Sequence, residues 1–108
     1  MNIENIKKVD PQVAEQIELE LKRQQEEIEL IQHIGNVLAD YHRYLWQGLH
    51  LYPYGDKRHI RALQELTQAS YYLECYDSNP KEFSIAFRKQ VGIIERRLHQ
   101  WHNEEQRV

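Results

Sequence analysis

Apolar residues recur with a helical period over most of this chain. Ala14, Ile17, Leu21, Gln24, Ile28, Ile31, Gly35, Leu38, His42, Leu45 and Leu49 fall alternately three and four apart. That is a seven-residue repeat, the seam of a coiled coil or a helical bundle. Gln24, Gly35 and His42 interrupt it, and Gly35-Asn36 is where a break or kink is expected, because glycine costs roughly 1 kcal/mol inside a helix. A second stripe, Phe83, Phe87, Val91, Ile94, Leu98 and Trp101, marks another amphipathic helix. Between them Ile60, Leu63, Leu66, Thr67, Ser70, Tyr71 and Leu73 cover a broader, less decided face. No alternating run is long enough to suggest a strand.

The prolines set the boundaries. Asp10-Pro11 reads as an N-cap followed by proline at the first helical position, where its missing N–H is not needed. Asn79-Pro80-Lys81-Glu82 repeats that pattern, with Glu82 placed for a capping box. Tyr52-Pro53-Tyr54-Gly55-Asp56 is a turn whose last residue can cap the next helix. The spacing predicts helices from Pro11 to about His50, Lys57 to about Tyr76, and Pro80 to about Asn103.

All eleven aromatic residues lie between Tyr41 and Trp101. Aromatic side chains supply much of the buried area of a small core. The expected architecture is therefore all-α. A flexible N-terminus (1–10) and a heptad-patterned helical arm (11–34) precede a three-helix core within residues 35–108. An unbroken first helix would run roughly 60 Å, against roughly 30 and 36 Å for the others. Half of it would then lack a partner within the chain. Either the chain turns near Gly35 and the arm returns as the fourth helix of a bundle, or the arm pairs with another chain. The residues expected to make that contact are Ile17, Leu21, Gln24, Ile28 and Ile31. Gln24 is polar within the seam, a device that can fix register or oligomeric state.

Composition narrows the reading. The 108 residues suit one small domain, 41 % hydrophobic, 29 % charged and of net charge −3, which points away from a general nucleic-acid or membrane binder. Residues 1–38 carry four basic and eight acidic side chains, a net of −4. Cys75 is the one cysteine, so no internal disulfide can form and a reducing compartment fits. No apolar run approaches the ~20 residues of a membrane span, and Met1 to Lys8 lacks the apolar core of a signal peptide. A cytoplasmic location is expected.

Asp10-Pro11, with Glu20, Arg23, Gln24, Glu29, Leu30 and Ile31, resembles the N-terminal arm of serine hydroxymethyltransferases over residues 10–31. The likeness stops where Gln32-His33-Ile34-Gly35 stands in place of that family's Ala-Ser-Glu-Asn. The remaining chain cannot hold the family's pyridoxal-phosphate domain, so the resemblance implies no activity and no cofactor. It implies a role in subunit association.

Candidate chemistry is sparse. His99 and His102, Glu95 and His99, and Glu29 and His33 share helix faces. No Glu-x-x-His motif of carboxylate-bridged di-iron bundles occurs, and no metal site is expected. Cys75 has no histidine placed by sequence to activate it and reads as a structural thiol. No Gly-rich phosphate loop, Cys-x-x-Cys or Gly-x-Ser-x-Gly is present. Arg97 and His102, with four residues between them, resemble the Arg-x(4–6)-His motif of HEPN ribonucleases. The resemblance implies a permanent cation for a scissile phosphate and a group that titrates near neutrality. Leu98 stands where that family has a polar residue. Arg88, Lys89, Arg96 and Arg97, with Lys57, Arg58 and Arg61, could form a small RNA-binding surface alongside Tyr52, Tyr54, Tyr71 and Tyr72. The leading expectation is a non-enzymatic interaction or oligomerisation module. The alternative is a small RNA-binding protein or HEPN-like ribonuclease.

Overall fold

The computed structural model describes residues 10–106, and they form an all-α structure of three helices: α1 (Pro11–Leu51), α2 (Lys57–Ser78) and α3 (Pro80–Gln106). The flexible segment expected over residues 1–10 lies, apart from Asp10, outside the described residues. No helix among them is long and apolar enough to cross a membrane.

The helix starts follow from capping chemistry. The Asp10 carboxylate accepts from the Gln12 and Val13 amides at 3.2 and 3.3 Å, and Pro11 opens the helix. The Asp56 carboxylate accepts from the Arg58 amide at 2.9 Å. Gly55 precedes it with φ +99°, a left-handed conformation that suits glycine. Asn79 serves two helices. Its amide N–H donates to the Cys75 carbonyl to close α2, and its Oδ1 accepts from the Glu82 amide to open α3. Glu82 answers through its carboxylate, which accepts from the Asn79 side-chain amide at 3.1 Å.

The helices run up, down and up. Gly48 lies against the Arg58 carbonyl and Gly35 against the Tyr76 ring, so α2 is antiparallel to α1. Lys81 reaches Glu27 at 3.5 Å, while the Tyr44 hydroxyl donates to Glu105 at 3.0 Å, so α3 runs parallel to α1. Residues 11–26, roughly 24 Å of helix, lie N-terminal to the first of those contacts. The molecule is correspondingly long, 69 × 31 × 20 Å.

α1 passes through Gly35 without interruption, which corrects the expectation of a break there. Gly35 meets a different need. A Cβ at that position would stand 2.6 Å from the Tyr76 hydroxyl oxygen. The missing side chain lets Tyr76 lie across α1 and donate to the Ile31 carbonyl at 2.9 Å. Gly48 does the same more stringently, since a Cβ there would lie 2.4 Å from the Arg58 carbonyl oxygen.

The core draws on two adjacent strips of α1. Leu38 and Leu45 belong to the expected seam, but Ile34, Val37, Tyr41 and Tyr44 are also buried, because α1 faces two helices at once. The α3 stripe is as expected, with Phe87, Val91, Ile94, Leu98 and Trp101 buried and Phe83 packed beside them. On α2 the expected face is displaced. Ala62 and Ala69 are buried, while Ile60, Leu63 and Tyr71 are exposed. Hydrophobicity alone would have turned the larger residues inward. Close approach to α1 leaves room for alanine.

Two substitutions separate close packing from helix propensity. Gly48→Ala should destabilise the protein by about 1–3 kcal/mol through overpacking, despite a propensity gain near 1 kcal/mol. Gly92→Ala, where a Cβ meets nothing within 4 Å, should be neutral or stabilising by up to about 1 kcal/mol. Urea unfolding of both variants reads the difference in sign.

Candidate functional site

The arm carries the residues that sequence pattern selects for interaction. Ala14 is buried and Ile17 partly buried. Leu21 and Ile28, seven apart, are 47 % and 50 % exposed. Gln24 lies exposed between them, and its amide donates to Glu20 at 3.2 Å. Ile31 is partly buried, and its carbonyl accepts from Tyr76. The structure therefore leaves Leu21, Gln24 and Ile28 open and ties Ile31 to the body. Val13 and Leu19 add further exposed apolar surface to the arm.

The charges beside this strip are ordered by Arg23. It donates to Glu20 at 3.0 and 2.5 Å and to Glu27 at 2.8 Å, one helical turn before and one turn after it on the same face. The Glu20 carboxyl is lowered by hydrogen bonds from Arg23 and then Gln24. Glu18, Glu20 and Glu27 flank the seam with no lysine or arginine at equivalent flanking positions.

At the other end of α1, aromatic and charged side chains from all three helices converge on Trp101. Tyr41 and Tyr44 of α1 stack on its ring at centroid distances of 6.3 and 5.1 Å. The guanidinium groups of Arg61 and Arg97 lie over it at 5.0 and 4.8 Å. Glu65 ties the helices together, accepting from the Tyr41 hydroxyl at 2.7 Å and from Arg97 at 2.5 Å. Arg61 donates to the Tyr44 hydroxyl at 3.2 Å and to Glu104 at 2.6 Å. Burial first, then the hydrogen bond to Glu105, pushes the Tyr44 phenol up to about 12. Burial and Glu65 raise Tyr41 still further. The network binds the helices to one another, and its charged members already have partners within it.

That placement bears on the proposed catalytic pair. Arg97 faces α2, where it binds Glu65, whereas His102 packs edge-on against Tyr44 of α1 at 5.6 Å. The structure does not bring these two residues together on one face of α3. The basic residues are likewise divided. Arg58 binds Asp56 and covers the Tyr52 ring at 3.3 Å, and Arg61 and Arg97 are held in the Trp101 cluster. Arg88 lines a groove between α1 and α3 instead.

Of the helix-face pairs noted in the sequence, none forms a metal-binding cluster among the described residues. Glu95 turns to α1 and meets His33 at 2.7 Å, a pairing across 62 residues that no local spacing could indicate. Cys75 is partly buried, and its interaction with Tyr71 is the first of the causes that raise the Tyr71 phenol. In comparisons with known proteins, no family model, no curated protein and no solved structure matches this chain.

Two outcomes test the Trp101 cluster. Glu65→Ala leaves a buried phenol and a guanidinium without their acceptor and should cost about 1–3 kcal/mol in urea unfolding, the range being held down because Arg97 is partly solvated. Glu65→Gln, which still accepts from Tyr41, should cost less. The pH dependence has a definite sign. The Tyr44 pKa is higher folded, about 12, than its ordinary 10.0. The stabilisation it contributes is thus complete below pH 10 and lost as pH rises through 12. A Tyr44→Phe variant should show a shallower loss of thermal stability over that alkaline window.

Proposed function

We propose that this protein is a non-enzymatic interaction module that pairs its N-terminal arm with a second helix. The observation that carries this reading is the exposure of Leu21 and Ile28 on one strip of an unbroken helix, at and beyond the end of the three-helix body. An apolar strip at heptad spacing is satisfied by a facing helix that supplies matching knobs.

Charge selects among facing helices. The seam is flanked by Glu18, Glu20 and Glu27, so a partner with lysine or arginine beside its own seam gains complementary contacts, in competition with Arg23 for Glu20 and with Arg23 and Lys81 for Glu27. A second copy of this acidic arm also fits the apolar strip but lacks that complementarity. Gln24 adds a polar layer between Leu21 and Ile28 that favours a register able to hydrogen-bond its amide.

A designed helix with an Ile/Leu heptad seam provides the probe, in two versions flanked by lysine or by glutamate. Fluorescence anisotropy with the full chain should show tighter binding of the lysine version, by about tenfold at low salt, and less difference as salt rises. Ile28→Glu should weaken binding by at least about tenfold while leaving the unfolding midpoint near wild type, because the side chain is half exposed. Equal affinity of wild type and Ile28→Glu for both peptides would remove the basis of the reading. Sedimentation of the chain alone reports whether a second copy takes the same place.

A further inference from the structure

The groove between α2 and α3 joins an aromatic floor to a compensated charge pair. These helices share the smallest contact of the three pairs, and an open slot of about 270 Å³ lies between them. Tyr41 and Phe87 line it from below, both buried. The Tyr72 ring stands 4.8 Å from that of Phe87. Gln68 of α2 and Gln90 and Ile93 of α3 line the slot nearer to solvent, all three exposed.

Arg97 is the one charged side chain in this lining. Glu65 meets its charge at 2.5 Å, and its guanidinium covers the Trp101 ring at 4.8 Å. The side chain is nevertheless 41 % exposed. A guanidinium carries five N–H donors in a fixed fork, and the bond to Glu65 engages one nitrogen of it. The amides differ in the same way. Gln68 donates to the Tyr72 hydroxyl at 2.5 Å, whereas the Gln90 side-chain amide has no partner among the described residues.

We propose that this groove binds a small uncharged molecule with one flat aromatic ring and an amide or carbonyl group. The ring lies against Phe87 and Tyr72, and the oxygen accepts from Arg97. Three features select that chemistry. The aromatic floor favours a flat ring, and a volume at the small end of ligand pockets limits its size. The remaining Arg97 donors favour an acceptor, and the Gln90 amide can both donate and accept. The Arg97–Glu65 pair disfavours net charge. An anion seated on Arg97 lies beside the Glu65 carboxylate, and a cation placed there is repelled by Arg97 itself. The site is remote from the arm seam and stands independently of arm pairing.

Benzamide is the probe, with benzoate and benzamidinium as charged molecules of the same shape. NMR titration of the full chain, labelled with nitrogen-15, reads the side-chain signals of Gln68, Gln90 and Arg97 directly. Benzamide should shift them saturably, with a dissociation constant on the order of 1 mM, as suits so small a ligand. Benzoate and benzamidinium should each bind about tenfold more weakly. Gln90→Trp, which fills the slot from an exposed position, should weaken benzamide binding at least about tenfold and leave the urea midpoint near wild type. Ile28→Glu should leave benzamide binding unchanged. The absence of a saturable shift, equal affinity for the charged molecules, or wild-type affinity in Gln90→Trp would each overturn the proposal.

Discussion

The close approach of α1 and α2 is the constraint from which the remaining architecture follows. Gly48 admits the Arg58 backbone and Gly35 admits the Tyr76 ring, one near each end of the crossing. Helices that approach this closely have little room for large side chains between them. The buried positions of α2 therefore include Ala62 and Ala69, and Ile60, Leu63 and Tyr71 are turned to the outside. The same approach secures α1 where glycine would otherwise weaken it. The Tyr76 hydroxyl binds the Ile31 carbonyl across the helix, and α1 is continuous from Pro11 through this point.

α3 completes the body through larger residues. Phe87, Val91, Ile94, Leu98 and Trp101 fill the space left beside the tightly packed pair. Where the three helices meet, Trp101 is enclosed by two tyrosines and two arginines, with Glu65 accepting from both Tyr41 and Arg97. A buried carboxylate is tolerated when its oxygens are satisfied and a cation lies close. Both conditions hold for Glu65, whose side chain is 12 % exposed. The cost of removing any one partner makes this cluster a device for fixing the mutual register of the helices.

These packing choices leave two surfaces of different character. The arm is acidic along its flanks and apolar along its seam, the combination on which the proposed pairing rests. The outer face of α2 leaves Ile60, Leu63 and Tyr71 exposed and carries no outward charge over its middle. Both arise because the three helices leave apolar residues on surfaces that face away from their common core.

The sequence by itself determined the elements. Asp10, Asp56 and Asn79 cap the helices, prolines and Gly55 separate them, and the α3 stripe points to the core, because all of these depend on neighbours a few residues away. The arm strip was legible for the same reason, since heptad spacing is local. Tertiary structure alone decided the rest. Whether Gly35 is a break or a docking point depended on Tyr76, which lies 41 residues further along the chain. Which face of α2 is buried depended on how near α1 comes. Arg97 and His102 look like a pair in sequence, but one is drawn to Glu65 and the other to Tyr44. His33 meets Glu95 across a distance no periodicity spans. Periodicity reports what a helix can bury. The separation between helix axes decides what it does bury.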